Sequence, residues 1–323
     1  MKKILIIRFS SIGDIVLTTP VIRCLKQSRH IGMEIHYLTK INYFSVLEAN
    51  PYIYKIHCFE KNISEIIPQL KSENFDFVID LHHNIRSSFI RFQLRKPSAS
   101  FNKLNVEKWL LVNFKINRLP NIHIVDRYME TLKTLDIQND NKGLDYFIPA
   151  KDEVNIQILP IEFHNGYIGF VIGGTHATKR LPDEKIISIC KRINAPIILL
   201  GGKEDYLIAE KIAHPDIVGM CYNACGKYNI NQSASLVRQA TKIITHDTGL
   251  MHIAAAFKKD IISVWGNTIP EFGMSPYMAG KNSKIVEVKG LSCRPCSKLG
   301  FEKCPKRHFN CMNLIDEEEI ASP

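Results

Sequence analysis

Thr245-His246-Asp247-Thr248-Gly249-Leu250-Met251-His252-Ile253-Ala254-Ala255-Ala256-Phe257 carries the change from strand to helix around which the chain can be read. The apolar run closing in Lys242-Ile243-Ile244-Thr245 has the make-up of a buried parallel strand. It breaks at Asp247-Thr248-Gly249, and strong helix formers follow at once. Asp and Thr start helices because their side-chain oxygens accept from unpaired backbone N–H groups. Gly249 lets a ligand approach the backbone closely. A helix N-terminus at the carboxyl end of a strand offers free N–H groups and partial positive charge, a ready anion site. An ordinary capped strand–turn–helix has the same spacing, so the remaining chain must decide between the two.

Working outward, short β runs alternate with helical patterns. In the first half the runs at 3–8, 34–38, 55–59 and 75–81 read as strands, with helical spacing at 16–27, 42–47 and 63–71. The pattern lapses between residues 151 and 166, around Pro149 and Pro160, as in a linker. A second series follows, with strands at 167–172, 196–200, 217–221, 242–245 and 260–265 and helices at 182–192, 204–213 and 232–239. Such alternation predicts an α/β chain of two Rossmann-like domains, 1–155 and 156–323, facing each other across a cleft.

The totals agree with that division. At 323 residues the chain is long enough for two domains of about 100–200 residues each. No apolar run approaches the ~20 residues of a membrane span. Met1-Lys2-Lys3-Ile4-Leu5-Ile6-Ile7-Arg8 is too short in its apolar part for a signal peptide, so it reads as a first strand and implies a cytoplasmic address. A net charge of +10 favours anionic partners: nucleotides, phosphorylated lipids, a membrane surface or nucleic acid.

Further motifs sit where strands are expected to end. The first strand runs into Arg8-Phe9-Ser10-Ser11-Ile12-Gly13-Asp14. Asp14 there is a helix cap or, aimed into a cleft, a general base for a hydroxyl. The Gly-x-Gly-x-x-Gly spacing of dinucleotide sites is missing from this turn. Gly173-Gly174-Thr175-His176-Ala177-Thr178-Lys179-Arg180-Leu181-Pro182 can cradle phosphate with N–H groups, hydroxyls and a lysine. In Gly201-Gly202-Lys203-Glu204-Asp205 an acid can take a ribose hydroxyl pair or simply cap a helix.

Together, Arg8–Pro20 and His246–Ala256 resemble glycosyltransferase family 9, the ADP-heptose:lipopolysaccharide heptosyltransferases. Lys179-Arg180-Leu181-Pro182 and Gly201-Gly202-Lys203-Glu204 fall in the family's order, so the resemblance spans nearly the whole chain. It implies the GT-B fold, inversion at the transferred sugar and no catalytic metal. The first domain then takes the acceptor and supplies the base, Asp14. The second binds the nucleotide-sugar donor, with diphosphate contacts at Thr175, Lys179, Asp247, Thr248 and Gly249, and His252 nearby. Glu204 falls on the adenosine ribose, with Asp205 as the alternative. Asp80-Leu81-His82-His83-Asn84-Ile85-Arg86-Ser87-Ser88 resembles an acceptor-side segment, in which His82, His83 and Arg86 can touch an anionic acceptor or merely line the cleft. An ADP-heptose-like donor, an anionic lipopolysaccharide-core acceptor and peripheral contact with the inner face of the membrane are the partners implied. The chain stops soon after Glu317-Glu318-Glu319, so the family's closing helix looks short.

Of nine cysteines, four form Cys293-x2-Cys296-x7-Cys304-x6-Cys311, with His308 among them. That spacing suits a structural zinc held by thiolates, and equally suits reduced thiols or disulfides. A basic nucleic-acid-binding protein built on these four cysteines is the competing reading. It lacks an aromatic stacking stretch and leaves both end motifs unexplained, so no nucleic acid is expected. A non-catalytic sugar-nucleotide binder would have no use for Asp14.

Overall fold

The computed structural model describes residues 2–28 and 32–321. The chain divides into two compact units, one built from 1–103 and 122–149, the other from 104–121 and 150–323.

The first unit contains strands β1 (Lys3–Ile7), β2 (Glu34–Lys40), β3 (Lys55–Phe59), β4 (Phe77–Asp80) and β5 (Ser98–Ser100). They form one sheet in the order β3-β2-β1-β4-β5, and every pairing is parallel. β1 sits centrally because Ile4, Leu5, Ile6 and Ile7 are fully buried, as a strand covered on both faces requires. The order reverses at β1, so the loops after β1 and β4 leave the same carboxyl edge side by side. Ligands collect at such an edge in open α/β sheets.

The second unit repeats the plan with β6 (Ile168–Val171), β7 (Ile197–Leu200), β8 (Cys221–Asn223), β9 (Lys242–His246), β10 (Asp260–Trp265) and β11 (Lys284–Glu287). Their order is β11-β10-β9-β6-β7-β8, again all parallel. Here the reversal brings together the loops after β6 and β9, which hold the glycine-rich and Asp-Thr-Gly motifs.

The structure departs from the sequence reading at several points. The first helix is split into Ile12–Val16 and Thr19–Gln27, with Thr18 and Thr19 hydroxyls turned back onto the carbonyls of Ile15 and Val16 (2.7 Å each). Strand β8 begins where a strand at 217–221 was expected to end. Residues 104–121, read as part of the first domain, group with the second unit instead. The reason is packing: Leu111 of the helix Asn105–Phe114 is buried against Ile269 and Phe272, and Lys115 Nζ donates to the carbonyl of Pro295 (2.7 Å). The expected linker is also anchored to that unit, because Asn229 and Asn231 donate to the Asp152 carboxylate (2.8 and 3.2 Å). The short last helix, Glu317–Ala321, lies on Asp183–Arg192, where Lys185 Nζ meets Glu317 Oε1 at 3.1 Å and Ile320 is buried. Among the described residues no helix is long and apolar enough to cross a membrane.

Candidate active site

At the carboxyl edge of the first sheet, Asp14 stands in the first turn of Ile12–Val16. Its Oδ2 accepts from Ser11 N (3.1 Å) and Ser11 Oγ (2.9 Å), and its Oδ1 meets Arg8 Nη2 at 2.6 Å. Arg8 is held in turn by the carbonyls of Ser10 and Leu81 (2.8 and 2.7 Å) and by the Tyr128 hydroxyl (3.1 Å). Burial pushes the Asp14 carboxyl up, but the Arg8 cation and the Ser11 donors outweigh it and hold it below the usual carboxylate range. With its side chain 22% exposed, Asp14 remains reachable. Sequence reading picked out Asp14 and missed Arg8, whose only signal was a cation closing an apolar strand.

His82, His83 and Arg86 belong to the same edge, after β4. The buried Asp80 carboxylate accepts from the backbone N–H groups of His82 and His83 (3.0 and 2.7 Å) and so shapes the turn. The His82 ring packs on Phe9 with centroids 4.5 Å apart, and the Arg86 guanidinium lies 5.8 Å from the same ring. Burial, reinforced by the Arg8 and Lys103 charges, lowers His82 to about 3, so its imidazole is neutral. His83 Nδ1 donates to the carbonyl of Phe101 (2.7 Å).

In the second unit the loops after β6 and β9 meet. Lys179 Nζ lies 2.5 Å from Asp247 Oδ2, which also accepts from Thr268 Oγ1 (3.1 Å). Asp247 thus ties Lys179 of the loop after β6 to Thr268 of the loop after β10. The helix Gly249–Ala256 starts beside it, and its N-cap Thr248 makes no side-chain capping bond. The capping expected from Thr248 is absent because its hydroxyl faces Thr245 Oγ1 at 3.3 Å. First-turn N–H groups of a helix without a side-chain cap are a common place for an anion. His252 is buried inside this helix, and Thr175 is exposed on the loop after β6. His246, which the sequence did not single out, accepts from Leu181 N (3.0 Å); burial lowers it to about 4 and keeps it neutral.

The two acids after β7 are sorted by burial. Asp205 is 1% exposed, with Oδ2 taken by Gly202 N (2.9 Å) and Oδ1 by Arg180 Nη1 (2.9 Å). A Cβ at Gly173 would come within 2.3 Å of that carboxylate, so the glycine is needed for the fit. Asp205 is thus internal, and Glu204 alone is exposed.

Cys293, Cys296, Cys304 and Cys311 lie near enough for the Cys311 thiol to feel the other three, yet they do not form a ready metal set. Cys296 Sγ donates to the carbonyl of Cys293 (3.1 Å). Among the described residues the one group with three ligand atoms within 4.8 Å of one another is His36, His57 and Glu73. The zinc expectation gains no support from that geometry. What the cysteine-rich segment does is brace the Lys179 loop: Phe301 N donates to Thr178 Oγ1 (2.8 Å) and Thr178 N to the carbonyl of Phe301 (3.1 Å).

A chain of two Rossmann-like units, with a carboxylate on one sheet edge and a lysine beside an open helix terminus on the other, has the GT-B class of fold. It belongs to glycosyltransferase family 9 (heptosyltransferase), which residues 63–304 match. The lipopolysaccharide heptosyltransferase 1 of Campylobacter coli is 24% identical, over 98% of this chain and 96% of its own. Among solved structures, the family 9 glycosyltransferase from Veillonella parvula superposes with a TM-score of 0.72, at 24% identity, covering 88% of this chain and 85% of its own. The E. coli heptosyltransferase WaaC with ADP-2-deoxy-2-fluoro heptose gives 0.67 at 19% identity, covering 92% and 96%.

Proposed function

We propose that this glycosyltransferase moves a heptose from an ADP-linked donor to a hydroxyl of an anionic lipopolysaccharide-core acceptor, with inversion at the anomeric carbon. The observation carrying the reading is the junction of Lys179, Asp247 and the uncapped start of Gly249–Ala256 at one sheet edge. A nucleoside diphosphate fits there, and the WaaC structure with a fluorinated ADP-heptose supports the choice of donor. Glu204 takes the ribose hydroxyls, since Asp205 has both oxygens engaged.

In the transfer, the acceptor oxygen bonds to the anomeric carbon as the bond from that carbon to the phosphate oxygen breaks. The electron pair leaves with ADP. A helix terminus stabilises such charge by up to about 2 kcal/mol, less than a hundredfold in rate. Lys179 and the alignment of the two substrates supply more, because positioning contributes about 7–11 kcal/mol. The acceptor proton goes to Asp14. A carboxylate has about four lone-pair sites; Arg8 and the two Ser11 donors leave one for the acceptor hydroxyl. His82 and Arg86 line the acceptor side, and peripheral contact with the inner face of the membrane brings the lipid-linked acceptor within reach. The cysteine-rich segment serves as a structural support for the Lys179 loop; zinc analysis of protein purified without chelator tests whether a metal assists it, with less than about 0.2 equivalents ruling that out.

The test is transfer from ADP-heptose to a heptose-free core acceptor, followed by product analysis. Turnover with an α-configured product from a β-linked donor supports the reading. Binding of ADP-heptose without single-turnover transfer overturns it.

A further inference from the structure

The helix Ile85–Leu94 of the first unit is amphipathic in an unusual sense. Its inner face, Ser87, Ile90 and Leu94, is buried, while Ile85 is 90% exposed, Phe89 40% and Phe92 70%. At 3.6 residues per turn these three fall within about 60° of one another, so they make a continuous outward stripe. A soluble helix normally turns such residues inward, and a phenylalanine pair held in water calls for a cover.

Cations rim the stripe. Arg86 is exposed at its start and Arg95 just past its end. Beside Phe92 opens a cavity of about 520 Å³ whose lining includes Lys71, Arg95 and Lys96. Both ammonium groups there bond only to neutral amides, Lys71 Nζ to Gln93 Oε1 (3.0 Å) and Lys96 Nζ to Asn74 Oδ1 (2.8 Å). Among the described residues no carboxylate forms a salt bridge to Lys71, Arg95 or Lys96, so the positive charge is not neutralised locally.

We propose that this face docks on an anionic phospholipid surface: the stripe enters the boundary between headgroups and acyl chains, and the cavity takes lipid phosphates. Apolar side chains next to unneutralised cations match that surface, with its anionic headgroups above an apolar interior. A second copy of the chain would bring the same cations against themselves. The inference deepens the reading of a membrane-borne acceptor, and it names the surface that would hold the enzyme beside it.

Cosedimentation of the full chain with vesicles tests this. Vesicles of phosphatidylglycerol and phosphatidylethanolamine should bind the protein, vesicles of phosphatidylcholine alone should not, and raised salt should weaken binding. The combined change Ile85→Ser, Phe89→Ser, Phe92→Ser should reduce vesicle affinity at least about tenfold. Lys71→Gln with Lys96→Gln should remove the preference for anionic lipid. Circular dichroism and ADP calorimetry on the same samples report folding and the donor site separately. Intact ADP binding without vesicle binding overturns the docking face and leaves the glycosyltransferase reading untouched. Unchanged vesicle binding by the serine variant overturns it too, as does a dimer in sedimentation velocity that the serine changes abolish.

Discussion

Arg8 Nη2 and Asp14 Oδ1 stand 2.6 Å apart, which ties the only carboxylate in the Ser10–Asp14 turn to a cation rooted in the sheet. The pair keeps Asp14 ionised to lower pH than a free carboxyl. Asp14→Asn should therefore abolish heptosyl transfer while leaving ADP affinity within about twofold, because the nucleotide site proposed above lies in the other unit's loops. Transfer assays and calorimetry on the same preparation check both halves.

The same pair sets the pH dependence. Asp14 is lowered in the folded protein, so the acid limb of kcat/KM should fall below the ordinary aspartate value of about 3.9. Arg8→Gln removes the largest opposing influence to burial, and the limb should then move upward. By the same sign, ionised Asp14 stabilises the fold above the unfolded-state value, and that stability is lost as pH falls through the folded one. A limb that stays put in Arg8→Gln would separate Asp14 from the rate.

Lys179→Ala should weaken ADP binding and turnover together. Charge-assisted hydrogen bonds contribute about 1.5–3 kcal/mol, so roughly ten- to hundredfold is expected in affinity. Asp247→Asn keeps the cation but loosens its hold on it; kcat should drop more than ADP affinity. Isothermal calorimetry alongside steady-state rates distinguishes the two variants.

Glu204 and Asp205 should behave oppositely although they are neighbours. Glu204→Gln should raise KM for the donor with no change in Tm, since the side chain is exposed. Asp205→Ala strips the partner from Arg180 and Gly202 N, and should cost about 2–4 kcal/mol of stability. Thermal melts and donor titrations decide the assignment.

Thr178→Val should reveal the brace on the Lys179 loop. The Thr178 side chain is nearly inaccessible and its hydroxyl accepts from Phe301 N, so its loss removes that bond at about 0.5–1.5 kcal/mol. ADP affinity should fall with Tm. Unchanged affinity at lowered Tm would mean that the segment supports the fold without positioning Lys179.

Much of the architecture was readable because parallel strands buried on both faces are nearly unbroken apolar runs: Lys55–Phe59 and Asp260–Trp265 lie where the pattern put them. Strand β5, Ser98–Ser100, was invisible, being three small residues paired along one side only. Helix Ile85–Leu94 was missed because its largest apolar residues face out, which blurs the period that reports a buried face. Asp14, Lys179, Glu204 and Asp247 follow the ends of β1, β6, β7 and β9, the positions that the alternating pattern made readable; His252 and the four clustered cysteines do not. Arg180, the partner of Asp205, comes from a different loop, and Arg8, though in the same turn as Asp14, is aimed at it by Leu81 and Tyr128 from distant segments. Neither pairing leaves a local signature.

The helix Asn105–Phe114 has one more consequence. With residues 104–121 lodged in the unit that otherwise begins at Ala150, the backbone passes between the two bodies at 103/104, 121/122 and 149/150. No single scission yields either body whole, and a gene fragment begun at residue 150 would leave Ile269 and Phe272 without Leu111. Exchanging the second unit between relatives thus demands three matched junctions, a barrier to modular shuffling written into the path of the chain.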